Sequence, residues 1–93
     1  MEFEWDEAKR LGNLKKHGVD FADVGEFDWI GAQYWDDRNA DYGEERCKAA
    51  AQYRGRIHVV IYTMRGTTTR IISFRLADKR EVKQYEKEKD QPR

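Results

Sequence analysis

Two strand-forming runs, Ile57 to Met64 and Thr69 to Ala77, flank Arg65-Gly66-Thr67-Thr68, and Asp78 with Glu81 follows at once. A chain carrying this stretch is committed to an antiparallel hairpin that feeds directly into a helix. The turn reverses the strand, and Asp78 and Glu81 supply the two halves of a capping box. A third run, Arg46 to Tyr53, joins through Arg54-Gly55, so the three strands form a meander.

Upstream, the alternation Phe3-Glu4-Trp5 predicts a first strand, after which Asp6 can cap a helix over 7–17 and Gly18 can end it. Ala8, Leu11 and Leu14 recur on one face of that helix. Asp20 reads as a second N-cap, with Val19 and Val24 placed as a hydrophobic staple and Phe21, Val24 and Phe27 as anchors of a short helix. Tyr34-Trp35 reads as a strand and 36–43 as an exposed loop. The expected fold class is therefore α+β: a small antiparallel sheet with two N-terminal helices packed on one face and a C-terminal helix. Residues 1–89 are expected to form a single domain, with 90–93, including Pro92, a flexible tail.

With 93 residues, 39% of them charged, and a mean hydropathy of -1.04, such a chain must place a compact apolar centre beneath a heavily charged surface. No apolar run approaches membrane-spanning length, so no membrane association is expected. The acidic start, Met1 to Asp6, lacks the pattern of a signal peptide. Cys47 is the only cysteine, which excludes an internal disulfide and fits a reducing compartment. A cytoplasmic address is expected. The zero net charge conceals a segregation: up to Arg46 there are 6 bases and 13 acids, and thereafter 12 bases and 5 acids. Halves of -7 and +7 suggest a basic face for an acidic partner, nucleic acid or protein, or else neutralisation across the fold.

Strand register predicts what each face of the sheet carries. If Arg54-Gly55 closes a two-residue hairpin, Tyr53 faces Arg56 and His58 faces Ala51. If Met64 pairs with Thr69, an unbroken ladder sets Tyr62 opposite Ile71, Val60 opposite Ser73 and His58 opposite Arg75. One face then combines His58, Tyr62, Ser73 and Arg75 with the small residues Cys47, Ala49 and Ala51, which would leave a shallow depression. The other collects Ile57, Val59, Ile61, Ile72, Phe74 and Leu76 for burial beneath the early helices. A slip of one residue exchanges the faces, and Arg46 falls on the helix-covered face unless a bulge intervenes.

An arginine-bearing sheet face suits a phosphodiester, because the guanidinium presents a planar fork of donors to phosphate oxygens. RNA can be cut without a metal by its own 2′-hydroxyl, given phosphate clamps, a base near the 2′-oxygen and a donor for the leaving oxygen. Arg65, Arg75 and Arg80 are candidate clamps, and Glu81 is a candidate base that also belongs to the capping box. His17 and His58 are the side chains that titrate near neutrality, though His17 also complements the dipole at its helix end. The chain has no paired-cysteine or zinc-type histidine motif, glycine-rich phosphate loop or nucleophile elbow, so no metal site or cofactor is expected.

Read in order, Phe3-Glu4-Trp5-Asp6, Asn13 with Lys16 to Phe21, Gly43 to Arg46, Val60 to Gly66, Arg70 to Arg75, and Glu81 with Tyr85 resemble the BrnT toxins over nearly the whole chain. The resemblance implies a RelE-like, metal-independent endoribonuclease of a type II toxin-antitoxin system that cleaves RNA and inhibits translation. It implies neutralisation by a BrnA-like antitoxin, and contact with operator DNA only through the complex that represses the operon. Carried over by position, it points to Arg65, Ser73, Arg75, Arg80 and Glu81 as active-site residues, with Lys16, His17, Glu45 and Arg46 as further motif residues. His58 and Tyr62 join Lys16, His17, Arg46 and Ser73 as expected RNA contacts through the register argument. Ala51 stands where the family commonly has glycine. The competing readings are a noncatalytic module that docks an acidic partner and regulates a DNA-binding protein, and an inactive descendant kept as a folding partner.

Overall fold

In a computed structural model that describes residues 1–37 and 45–89, the elements run β1 (Glu2–Glu4), α1 (Glu7–His17), a 3-10 helix (Phe21–Glu26), β2 (Gln33–Asp36), β3 (Cys47–Tyr53), β4 (Arg56–Arg65), β5 (Thr68–Leu76) and α2 (Lys79–Lys89). Most of the expected 36–43 loop and the expected tail at 90–93 lie outside the described residues. The five strands form one sheet in the order β1-β5-β4-β3-β2. The sheet is mixed rather than antiparallel: β1 pairs with β5 in parallel, Phe3 beside Thr69, while the remaining pairs are antiparallel. A parallel pair needs a long connection, and here most of the chain separates the two strands.

The local signals set the element ends. Asp6 accepts from the Lys9 N–H at 3.1 Å, and Gly18 closes α1 in the left-handed region at φ 71°. The expected second helix is a 3-10 helix, capped by Asp20 through the Ala22 N–H at 2.9 Å. Its apolar residues explain the form: Phe21, Val24 and Phe27 are three apart, and a three-residue turn stacks them on one buried side. The apolar face expected on α1 is not buried, for Leu11 is 53% and Leu14 37% exposed, and Asn13 is the helix's buried residue. Since β1 covers only Thr68 to Arg70, the rest of the β5 edge has no strand neighbour on that side among the described residues. The Asn13 amide takes that place, donating to the Phe74 carbonyl at 2.7 Å and accepting from the Phe74 N–H at 3.3 Å.

A bulge in β5 decides the two faces. The β3–β4 register is the expected one, with Tyr53 opposite Arg56 and Ala51 opposite His58. Along β4–β5, Met64 pairs with Thr69 and Tyr62 with Ile71, as expected, but Ile61 then pairs with Ser73 and Ile72 has no counterpart. The extra residue reverses the alternation, so Val60 faces Phe74 and His58 faces Leu76, in place of Ser73 and Arg75. One core therefore gathers Phe21, Val24 and Phe27 with Ala49, Ala51, Tyr53, Val60, Tyr62, Ile71 and Phe74. Ala49 and Ala51 make room for these rings and are fully buried, so the anticipated depression is filled. On the opposite face Ala50, Val59, Ile57 and Ile61 pack against Val82 and Tyr85 of α2 rather than beneath the early helices.

Candidate nucleic-acid interface

The turn from β5 into α2 builds its cap from side chains and turns one of them into a hub. The Glu81 N–H donates to Asp78 Oδ1 and the Asp78 N–H donates to Glu81 Oε1, both at 2.9 Å. Arg75, two residues before Ala77 on the same side of the sheet as α2, grips that carboxylate with both nitrogens, Nη1 to Oε1 at 2.7 Å and Nη2 to Oε2 at 3.0 Å. Lys48 from β3 adds its Nζ at 2.6 Å from Oε2. Glu81 is only 5% exposed. Burial by itself pushes its carboxyl up, and the donors from Arg75, Lys48 and the Asp78 N–H overcome that and hold it at about 2. Such a carboxylate is a weak proton acceptor, and its geometry is that of an anchor. Glu81 in turn holds the Arg75 guanidinium above its ordinary value against the opposing effect of burial.

Two concavities adjoin on this face. Lys48, Arg75, Asp78, Arg80, Glu81 and Gln84 line one of about 390 Å³. Lys16, His17, Arg46 and Ser73 line the other, about 380 Å³, together with Lys9, Gly12, Asn13 and Ile72. Ser73 and Arg75 lie two apart on one strand, on one side of it, which links the two. The link is also electrostatic: partial burial, then the charges of Lys16 and Arg75, push His17 below the ordinary 6.5, so its imidazole is neutral at pH 7.

The bulge thus assembles Lys16, His17, Arg46, Ser73, Arg75, Arg80 and Glu81 along one side, and it is the irregularity Arg46 required to share a face with Arg75. Arg65 is not brought to them. It pairs with Thr68 at the far end of the hairpin, whereas Arg75 pairs with Val59, roughly 20 Å away along the strands. His58 and Tyr62 lie on the opposite face. His58 is buried edge-on to Tyr53 and Phe74, its Nδ1–H donating to the Arg56 carbonyl at 3.0 Å, and Tyr62 is buried against Trp29. Burial pushes the Tyr62 phenol well up. Sequence reading missed Lys48 and the part played by Asn13. Lys48 stands two residues from Arg46 and across Ile61 from Ser73 only once the bulge is placed, and an unbroken register does not bring it to Arg75.

The fold and these concavities define a small α+β protein with a cationic sheet face, ordered around a buried carboxylate. Residues 5–81 match the family described as ribonuclease toxin, BrnT, of type II toxin-antitoxin system, and the chain belongs to that family. Membership implies an RNA substrate and an antitoxin partner. A search of curated proteins found no match. No helix among the described residues is long and apolar enough to cross a membrane.

Proposed function

We propose that this protein is a RelE-like, metal-independent endoribonuclease that acts in the cytoplasm and arrests translation by cutting RNA. The observation that carries the reading is Arg75, held by two hydrogen bonds to Glu81 in a cleft that also receives Arg80, next to a cleft with a neutral imidazole. Arg75 and Arg80 grip the scissile phosphate and balance the charge that grows on its oxygens. His17 accepts the proton of the 2′-hydroxyl, and the 2′-oxygen attacks the adjacent phosphorus as the bond to the 5′-oxygen breaks. The products are a 2′,3′-cyclic phosphate and a 5′-hydroxyl, whose proton comes from a general acid or water. Lys16, Arg46 and Ser73 hold the neighbouring backbone, and Glu81 orients Arg75. Arg65, at the other end of the hairpin, serves a more distant stretch of RNA. A BrnA-like antitoxin covers this face, and the pair represses its own operon through the antitoxin's contact with DNA.

Expression of the protein is expected to arrest growth, and Arg75→Ala to relieve the arrest while lowering the cleavage rate by about 10²-fold or more. Cleavage in chelator should equal that without it. A folded Arg75→Ala variant that remains as toxic as the parent would sink the assignment. Intact RNA alongside tight capture of the neighbouring gene product would favour the noncatalytic docking module.

A further inference from the structure

Lys48 belongs to none of the motifs that carry the family resemblance, yet it is built into the same hub as Arg75. Its Nζ and Arg75 Nη2 both contact Glu81 Oε2, at 2.6 and 3.0 Å. Two cations sharing one oxygen lie within about 6 Å of each other, a span that one phosphate can bridge with two of its oxygens. They are also differently exposed from their anchor. The side chains of Lys48 and Arg75 are 24% and 28% exposed and that of Glu81 only 6%, so an incoming anion meets the cations first.

Charge points the same way. Lys48, Arg75 and Arg80 line this cleft against Asp78 and Glu81, leaving a net +1. Both carboxylates are engaged in the cap, and Asp37 favours the charged Arg75 from outside the lining. A phosphodiester, with its single negative charge, neutralises the remainder. We propose that Lys48 and Arg75, fixed side by side on Glu81, form a two-cation seat for one RNA phosphodiester, with Lys48 a direct phosphate ligand. The inference rests on the reading of this face as the RNA site.

The test measures binding of a fluorescein-labelled 2′-O-methyl oligoribonucleotide, which lacks the nucleophile, across a salt series. Lys48→Gln keeps an amide donor toward Glu81 and loses the charge. It should weaken binding about 5- to 10-fold near 0.1 M salt and flatten the slope of log K against log salt by about 0.7, the value of one phosphate contact on a single strand. Lys48→Arg should restore the slope, which a merely structural role would not move. Wild-type affinity and slope in Lys48→Gln, with binding lost in Arg75→Ala, overturns the two-cation seat and leaves the ribonuclease reading standing. A wild-type chain that neither binds nor cuts RNA overturns both. A second measurement needs no variant: acylation of lysines by an N-hydroxysuccinimide acetate, followed by mass spectrometry. The oligonucleotide should slow modification of Lys48 relative to Lys87, and equal rates with and without it count against the seat.

Discussion

Glu81 shows how much one side chain can be asked to do at the join of a strand and a helix. Its carboxylate closes the cap of α2, grips Arg75 and positions Lys48, and each donor lowers the cost of keeping the charge out of water. In the folded chain it titrates at about 2, against 4.5 for an ordinary glutamate, so the unfolded chain takes up the proton first as pH falls. Its stabilising contribution is therefore complete above pH 4.5, declines below that and is gone below about 2, with a full size of up to about 3 kcal/mol. Urea midpoints measured from pH 5.5 to 2.5 should fall with acidity, and Glu81→Gln should show a lower midpoint at pH 5.5 and a shallower decline. The capping role of Glu81 was legible in the spacing Asp78-x-x-Glu81, because a capping box is local. Its hold on Lys48 was not, since that residue arrives from two strands away. In the proposed mechanism His17, rather than the anchored Glu81, is therefore the proton acceptor. The pH profile of kcat/KM should accordingly show an acid limb below the ordinary imidazole range, and an acid limb that survives unchanged in the residual activity of His17→Gln would remove His17 from that role.

At the scale of elements, spacing proved a better guide than hydrophobicity alone. Phe21, Val24 and Phe27 sit three apart and bury themselves on a three-residue turn, while Leu11 and Leu14 have helical spacing and still face solvent. The reason is where α1 lies. It runs beside β5 and docks through the polar Asn13, whose amide pairs with the strand backbone, so its leucines point away. Leu11→Gln and Leu14→Gln are each expected to change stability by no more than about 0.5 kcal/mol, and Phe21→Ala to cost about 3 kcal/mol or more, by thermal or urea unfolding. Large losses in both leucine variants would show that α1 is held by its apolar face after all. The β5 bulge is the element-level feature with the widest effect. One unpaired Ile72 sends Phe74 inward and brings Ser73 and Arg75 to the side of Arg46 and Lys48.

Across the whole molecule, the charge segregation along the chain is partly consumed by folding. Arg54 pairs with Asp23 and Glu26, and Arg70 with Glu4, joining the basic half to the acidic one. Lys48 and Arg75, by contrast, pair with Glu81 inside a cleft whose charged lining still holds one more base than acids. The two apolar clusters lie on opposite faces of shared strands, one holding Trp29 and the other Trp35. Since β3 and β4 serve both, tryptophan fluorescence in a Trp5→Phe/Trp29→Phe variant, which reports Trp35, and in Trp35→Phe, which reports the other cluster, should each coincide with the far-UV circular dichroism transition of the same variant. Separate midpoints would show that the faces unfold independently.

By itself the sequence determined the helix caps, the turns, the β3–β4 register and membership of the strands, because these depend on residues a few positions apart. Only the tertiary structure decided which face each β5 side chain occupies, that β1 joins in parallel, and that Lys48 meets Arg75 on Glu81. Those outcomes turn on contacts between distant segments. In a sheet, where side chains alternate with period two, a single extra residue is enough to reverse every assignment beyond it.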